Sequence, residues 1–201
     1  MNPEFPADSV LPCFYLPPIS WFQKAITGKQ ILISGNDRYR KQQYFNRCYI
    51  KGANGVLSLS VPVQRPGNYG KLKDVQIAYG EPWQQQHWRS IQSAYGKCPF
   101  FIYMASDFEE VICSHWDSLA ELNIALLNLC CRMMNLRLPV VWLADSESPQ
   151  LEDWKQLRDE PKHQQHPAYF QPFGSFEPEL SILDLLMNEG PAWESILKTE
   201  T

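Results

Sequence analysis

The strongest constraint on the fold is a β-hairpin predicted around an Asn-Gly turn. Two β-prone segments, residues 44–51 and 56–63, flank the four residues Gly52-Ala53-Asn54-Gly55. An Asn-Gly pair accepts the positive φ angles that tight hairpin turns require. In the second segment apolar residues alternate with two serines, which is the pattern of a half-buried strand. The sequence therefore predicts two antiparallel neighbouring strands.

The first 35 residues predict a βαβ unit. An apolar stretch at residues 9–16 reads as a strand that ends at two prolines, and Ser20 precedes a short helix that closes near Gly28. Residues 29–34 form a second β-prone run. We therefore expect an α/β fold with a mixed sheet that is opened by the βαβ unit, with the hairpin and helices packed on the sheet.

The remaining elements follow from helix boundary signals. Pro82 suits the first turn of a helix, and Ser118 with Glu121 forms a capping box at the start of another. Further predictions are a helix over residues 100–111, a last helix opened by Ser181 and closed near Gly190, a strand-like extension of the sheet over residues 75–79, and a buried strand at residues 139–143.

Length and composition predict one domain over residues 1–201. Residues 145–168 form a polar, proline-containing linker or surface excursion, with a short helix suggested by Leu151, Trp154 and Leu157. Residues 169–201 form a closing segment with the C-terminal helix.

Composition and charge restrict the class of protein and its expected cellular location. No apolar run approaches the roughly 20 residues of a membrane-spanning helix, and the N-terminus has no secretory pattern, so a cytoplasmic protein is expected. Six cysteines lack zinc-site spacing, and we expect buried reduced thiols.

Residues 1–100 carry 12 basic and 5 acidic side chains, whereas the second half carries 6 and 17. This asymmetry fits either an anion site in the first half or chance placement on a solvated surface.

The densest cluster of binding chemistry lies in residues 38–51. It contains five basic and four aromatic residues, and guanidinium groups with aromatic rings suit a small anionic ligand such as a nucleotide sugar. Alternation on a strand puts Arg47, Tyr49 and Lys51 on one face. A solvated strand is the alternative. The substrate-binding candidates are Arg38, Tyr39, Asn46, Arg47 and Lys51.

His87 is the one acid–base candidate, because an imidazole titrates near neutral pH. The alternative is a hydrogen-bonded histidine of the core. His163 and His166 have a spacing that can bind a metal on one helix face, but no third ligand is near, so no metal is expected. No phosphate-loop, dinucleotide-binding or serine-nucleophile motif is present, and no cofactor is expected. Nucleic acid is not an expected partner, because the chain is acidic overall and the basic segment is short.

Several segments in order resemble the WbqC-like family of bacteria. The match begins with Tyr15-Leu16-Pro17 and continues through Asn46-Arg47 to Asn54-Gly55. Later matching segments include Leu59 to Val63, Trp83, His87, Ile91, Tyr95, Pro99-Phe100-Phe101, Leu119 to Asn123, Tyr169, Gln171, Phe173-Gly174, Phe176, Pro178, Leu180-Ser181 and Asp184 to Leu186.

The resemblance implies a role in tailoring a surface-polysaccharide precursor such as that of O-antigen, by transfer of a sugar or an amino-acyl group such as glycine from an activated donor. The family usually has His-Gln-Pro at the end of the first strand, where this chain has Leu11-Pro12-Cys13. An acidic pair after the second strand appears here as Gly35-Asn36, and a longer segment with a Ser-Gly step is shortened to residues 145–169. Two hypotheses follow, a transferase and a non-catalytic binding or interaction relative. The oligomeric state is left open.

Overall fold

The first elements of the chain form the predicted βαβ unit. The computed structural model describes residues 10–40, 43–64, 70–148 and 166–198. Strand β1 (Val10–Pro12), helix α1 (Ile19–Ala25) and strand β2 (Ile31–Ser34) follow in order, and the two strands pair in parallel. The first strand is shorter than predicted, because the chain leaves the sheet at Pro12, where the carbonyl oxygen accepts a hydrogen bond from the Trp21 indole at 3.0 Å.

The hairpin comprises β3 (Arg47–Gly52) and β4 (Gly55–Ser60). The register pairs Gly52 with Gly55 and Arg47 with Ser60, and Gly55 carries a φ of 106°. The turn is therefore where the Asn-Gly signal predicts it. The hairpin forms a two-stranded sheet of its own beside the parallel sheet.

Three helices separate the hairpin from the third parallel strand. They are α2 (Trp83–Tyr95), α3 (Phe101–Cys113) and α4 (Leu119–Met133), all as predicted. The capping box at the start of α4 is present, because the Ser118 hydroxyl accepts from the Glu121 N–H and the Glu121 carboxylate accepts from the Ser118 N–H. Asn135 takes a positive φ of 52° just after α4. It ends the helix in the conformation that asparagine tolerates.

Strand β5 (Val140–Leu143) returns to the parallel sheet and pairs with β2, so the strand order is β1-β2-β5. The prediction that this strand is buried is wrong. It lies at the sheet edge, its residues are only partly buried, and the Trp142 side chain is exposed.

The prediction of a strand-like extension over residues 75–79 holds only for a short antiparallel contact past the end of β4, where the Gln64 N–H donates to the Gln76 carbonyl at 3.0 Å and the Ala78 N–H to the Pro62 carbonyl at 2.9 Å. A 3₁₀ turn (Leu72–Asp74) ends at Val75, and the segment that follows makes only isolated bridges, from Gln76 to Ser118 and from Ile77 to Val63. Apolar alternation here comes from a loop that buries Val75 and Ile77 in the core.

The chain closes with α5 (Ile182–Glu189) and α6 (Trp193–Leu197), joined by a 3₁₀ turn (Gly190–Ala192). The Ser181 hydroxyl caps α5 by accepting from the Leu183 N–H at 3.3 Å. The helix suggested by Leu151, Trp154 and Leu157 lies outside the described residues, as does His163. Together the elements confirm the α/β class.

A buried amide joins the two sheets to α4. The Asn123 side chain, with no exposed surface, donates to the carbonyl oxygens of Cys13 at 3.1 Å and Phe45 at 2.8 Å. Cys13 follows β1 and Phe45 precedes β3. A backbone hydrogen bond from the Tyr15 N–H to the Tyr44 carbonyl, at 2.9 Å, runs beside this junction.

Candidate functional site

The carboxyl ends of the parallel strands are held by a buried carboxylate. Asp37, just after β2, accepts hydrogen bonds from the Ser34 hydroxyl and from the Ser148 N–H, the latter at 2.6 Å. Burial raises the pKa of the Asp37 carboxyl, and the two hydrogen bonds oppose that shift. Ligands of open α/β sheets bind at this edge. In this protein the two hydrogen bonds of the Asp37 carboxylate join the loop after β2 to the segment after β5.

Gly35, directly after β2, is covered by Trp142 of β5. A Cβ atom added at Gly35 would lie 2.6 Å from Cζ2 of Trp142 and 2.9 Å from the Cα of Ala144. Any side chain at this position therefore requires the tryptophan to move. The tryptophan therefore leaves no room for a carboxylate side chain at position 35.

Arg38 and Lys71 form an exposed pair of cations beside the same edge. The two residues are direct partners in an isolated antiparallel bridge, and the Tyr39 N–H donates to the Gly70 carbonyl at 3.1 Å. Directly opposed residues have Cβ atoms about 5 Å apart, and like charges there repel. Within the described ranges, neither cation pairs with an acidic residue. Lys73 differs, because it pairs with Asp145 at 3.3 Å.

Tyr39 lies in the core rather than on the surface with Arg38. Its side chain is buried, and its ring lies 6.2 Å from that of Phe45, centroid to centroid. This contact brings the segment that carries Arg38 next to the start of β3.

Asn46 and Arg47 bond to the end of β4. The Asn46 amide donates to the Val61 carbonyl at 2.7 Å, and the Arg47 Nε donates to the Ser60 hydroxyl at 2.7 Å. Both side chains are partly buried. The Asn46 hydrogen bond extends the hairpin ladder by one pair, so this residue has a clear structural role.

His87 meets the same end of β4 from α2. Its ring is buried, Nδ1 lies 3.0 Å from the Tyr15 hydroxyl, and the ring also bonds to the backbone carbonyl of Ser60. A neutral imidazole protonated at Nε2 satisfies both contacts. Burial lowers the pKa of His87 to about 4, although the Ser60 bond opposes this shift. The geometry is that of a hydrogen-bonded core histidine.

Lys51 belongs to a different environment, which we call the buried polar cluster and define as Lys51, Tyr95, Tyr169, Gln171 and Asp184. The Lys51 ammonium donates to Gln171 Oε1 at 3.3 Å and to the Ser175 carbonyl. Gln171 Nε2 donates in turn to Asp184 Oδ2 at 2.9 Å. The glutamine amide therefore links the cation to the carboxylate.

Asp184 is the fully buried centre of this cluster. Its Oδ2 atom also accepts from the Tyr169 hydroxyl at 2.6 Å. Burial raises the pKa of the Asp184 carboxyl, whereas Tyr169, Tyr95, Gln171 and the Lys51 charge lower it. The cluster fixes the 169–177 segment against β3 and α5.

The structure thus divides the five predicted binding residues among four places. Asn46 and Arg47 share the end of β4 with His87, Arg38 lies on the surface with Lys71, Tyr39 lies in the core, and Lys51 lies in the buried polar cluster. Four residues of strand separate Arg47 from Lys51, a distance of about 13 Å. One flat face that carries all five residues is not formed.

His166 bonds to the backbone. Its ring nitrogens lie 3.0 Å from the Pro167 carbonyl oxygen and 2.9 Å from that of Pro178. Within the described ranges, no group of three or more side chains is arranged to hold a metal ion, and no helix is long and apolar enough to cross a bilayer.

Glu179 is a further candidate functional residue, and the sequence analysis does not predict it. Its carboxylate accepts from the Ser20 hydroxyl at 2.8 Å, next to the bridge between Pro18 and Ser181. Burial raises the pKa of Glu179 to about 7, although Ser20 and Lys24 act in the opposite direction. The carboxyl group is therefore largely protonated below neutral pH in the folded protein. The hydrogen bond partner, Ser20, lies 159 residues earlier in the chain, so the residues next to Glu179 do not predict that its carboxyl group is buried.

Glu179 makes a stability prediction with a defined sign. Between its ordinary pKa of 4.5 and the folded value of about 7, the folded state holds a proton that the unfolded state lacks, so stability falls as pH rises. Glu179→Gln removes this titration. Relative to the parent, its free energy of unfolding is expected to rise by about 2 kcal/mol between about pH 5 and pH 8, from 1.4 kcal/mol per pKa unit discounted for partial exposure.

Urea denaturation at both pH values measures this difference. Glu109→Gln, at an exposed position of α3, is the matched control and is expected to show no such pH dependence. A Glu179→Gln variant whose stability tracks the parent at every pH would contradict the assignment.

Comparisons with known proteins agree with the matching segments. The family model described as the WbqC-like protein family matches residues 13–159 and 157–196. The chain is also 26% identical over 209 residues to the uncharacterized protein Rv1507c of Mycobacterium tuberculosis, an alignment that covers 88% of this chain and 90% of that protein. No solved structure shows a significant match.

Proposed function

Because the chain belongs to the WbqC-like protein family, we propose that it is a transferase that tailors a surface-polysaccharide precursor, using a phosphate-bearing activated donor such as a nucleotide sugar. The acceptor would receive a sugar or an amino-acyl group such as glycine. The cytoplasm, where activated donors are made, is the proposed location.

The observation that carries the binding half of this proposal is the opposed pair Arg38 and Lys71. Two exposed cations held opposite each other by a backbone bridge repel, and an anion between them removes the repulsion. The pair follows β2 at the carboxyl edge of the parallel sheet, where α/β folds bind their ligands. Lys71 was not among the sequence candidates, because it comes from a loop 33 positions away.

Arg47 is the second candidate contact. Its Nε is occupied by Ser60, while the guanidinium group has further N–H donors, and its side chain is partly exposed. The ring contact between Tyr39 and Phe45 joins the residue after Arg38 to a residue just before Arg47. We propose Asn46 as the residue that orients this end of the hairpin.

A specific observation favours the second candidate function, a non-catalytic relative that binds the same ligand. Trp142 fills the space at Gly35, the position at which the resemblance implies an acidic side chain, and Cys13 is buried just after β1. His87 is buried, and its ring bonds to the Tyr15 hydroxyl through Nδ1 and to the backbone of Ser60. None of these positions supplies a general base at neutral pH.

A ligand screen tests the binding site. Thermal unfolding is followed with nucleotide diphosphate sugars, free nucleotides, aminoacyl donors and glycine, because a ligand of the folded state at a hundredfold excess over its Kd adds about 2.7 kcal/mol of stability. For the ligand that binds, we expect the Arg38→Gln/Lys71→Gln double variant to bind at least tenfold more weakly.

The matched control is Arg89→Gln/Lys97→Gln, which removes the same charge from exposed positions of α2 and the turn after it. Unchanged affinity in the Arg38/Lys71 variant would overturn the site, and Arg47→Gln then tests the neighbouring contact. A bound donor that is never consumed, with sugar and lipid-linked acceptors supplied, would favour the non-catalytic relative.

A further inference from the structure

Strand β4 presents an open backbone edge. The Val61 N–H donates to the Asn46 carbonyl at 2.8 Å, so the pair 46–61 is a hydrogen-bonded pair of the ladder. Because such pairs alternate along an antiparallel ladder, residues 59, 57 and 55 also bond toward β3. The N–H and C=O groups of Val56, Ser58 and Ser60 therefore point away from it.

Hydrogen bonds at other outward-facing residues of the hairpin agree with this alternation, and they show which part of the edge is covered. On β3 the outward carbonyl of Tyr49 accepts from the Ser181 N–H at 2.8 Å. On β4 the Ser60 carbonyl meets His87. For Val56 and Ser58, no backbone hydrogen bond to the outer edge exists within the described ranges. Four polar backbone groups are thus open there.

The side chains around these groups are uncharged, and two of them are exposed and apolar. Val56 is 49% exposed and Leu57 is 44% exposed, and the two lie on opposite faces of the strand. The sequence has no charged residue between Lys51 and Arg65. Edge strands that stay unpaired usually carry charges, proline or a bulge. The open stretch of β4 has none of these.

We propose that this edge pairs antiparallel with the same edge of a second copy of the chain, around a two-fold axis at Leu57. The axis places Val56 of one copy opposite Ser58 of the other, twice, so all four open backbone groups of each copy form hydrogen bonds. Leu57 then faces Leu57 of the second copy in a non-hydrogen-bonded pair, where side chains approach most closely. The absence of charge means that self-pairing opposes no like charges.

The second copy is favoured over a charged peptide because the stretch from Gly52 to Gln64 carries no charge and the exposed Leu57 side chain meets its own apolar copy at the axis. The rotated copy also supplies the backbone donors and acceptors in the required spacing, which gives a closed isologous dimer. The two hairpins form a continuous four-stranded antiparallel sheet. This arrangement does not depend on the proposed transferase function.

The molar mass in solution tests the dimer. Light scattering after size exclusion is expected to give twice the chain mass of 23.3 kDa for the parent protein. Leu57→Lys opposes two ammonium groups at the axis and is expected to give the single-chain mass. Ser58→Pro removes an outward N–H without touching the hairpin ladder and is expected to do the same. Circular dichroism verifies that both variants are folded.

Ile102→Lys is the matched control, because Ile102 is 78% exposed on α3, and this variant is expected to remain dimeric. A parent protein of single-chain mass at about 100 μM would overturn the proposal. A dimer that survives both Leu57→Lys and Ser58→Pro, or that Ile102→Lys dissociates, would also overturn it.

A cross-link gives an independent measurement. Opposed residues of a non-hydrogen-bonded pair have Cα atoms about 4.5 Å apart, within the range that a disulfide spans. In a Cys113→Ser background, which removes the exposed native thiol, Leu57→Cys is expected to oxidise to a covalent dimer. Ile102→Cys in the same background is expected to stay mostly monomeric on a non-reducing gel. Equal cross-linking of the two would contradict the two-fold axis.

Discussion

Asn123→Asp is expected to lower the free energy of unfolding by about 4 kcal/mol. The substitution keeps the shape of the side chain but replaces its N–H₂ donor by an oxygen, so the carbonyls of Cys13 and Phe45 lose their shared partner. Each buried unsatisfied carbonyl costs about 1–3 kcal/mol, and a buried carboxylate facing two carbonyl oxygens adds to this cost. Asn123 has no exposed surface, so water cannot replace the lost donor.

Urea denaturation of the parent and the variant measures this effect. Asn128→Asp, an exposed position on the same helix, is the matched control and is expected to change stability by less than about 0.5 kcal/mol. Equal and small losses at both positions would contradict the structural role of Asn123. A large loss at Asn123 alone supports the conclusion that one amide holds the two sheets to α4.

Lys51→Met is expected to destabilise the protein by about 3 kcal/mol, because it removes a buried cation that Gln171 links to the Asp184 carboxylate and leaves that carboxylate uncompensated. The Asp184 carboxylate would lose the cation that lowers its pKa, and Gln171 would lose a donor to its side-chain oxygen. The loss is expected to be larger at about pH 8 than at about pH 5, since at low pH the carboxyl group of the variant takes up a proton.

A double-mutant cycle isolates the interaction. In the Asp184→Asn background, Lys51→Met is expected to cost about 1–2 kcal/mol less than in the parent, which is the coupling between the two groups. Lys97→Met, at an exposed position after α2, is the control. Additive losses for Lys51→Met and Asp184→Asn would show that the two charges do not interact. They would leave Lys51 available for the anion-binding role that its sequence position suggests.

Lys51 has a role in the structure that differs from the one that the sequence favours. Lys51 was expected on one face with Arg47, because side chains of a strand alternate, and the alternation itself holds for the buried Cys48 and Ile50. Alternation does not predict that the other face of β3, which carries Lys51, is also covered. The segment around Gln171 and the Asp184 side chain cover it. A strand covered on both faces cannot be recognised from its own residues when its polar members are satisfied by distant partners.

His87 shows the same limit of prediction from sequence: its burial is predicted, but its hydrogen-bond partners are not. Its helical spacing with Trp83 and Ile91 predicts an inward-facing ring, and the ring is buried. Whether such a histidine serves as an acid, a base or a core residue depends on what reaches its two nitrogens. Tyr15 lies 72 positions earlier, and the Ser60 carbonyl belongs to another strand.

The sequence by itself determined the features that depend on near neighbours. The Asn54-Gly55 turn sets the hairpin register, the Ser118 and Glu121 pair starts α4, and the strand–helix–strand order at the N-terminus produces the parallel βαβ unit. Each arises from backbone sterics and hydrogen bonds within a few residues, so local residue types suffice to predict it.

Only the tertiary structure decided how these elements meet. It placed the hairpin in a sheet of its own, opposed Arg38 to Lys71, enclosed Lys51 with Asp184, and left Val56 and Ser58 of β4 exposed. The physical reason is that such contacts join groups far apart in the chain. Their formation depends on the packing of the whole core and not on the preference of any one segment.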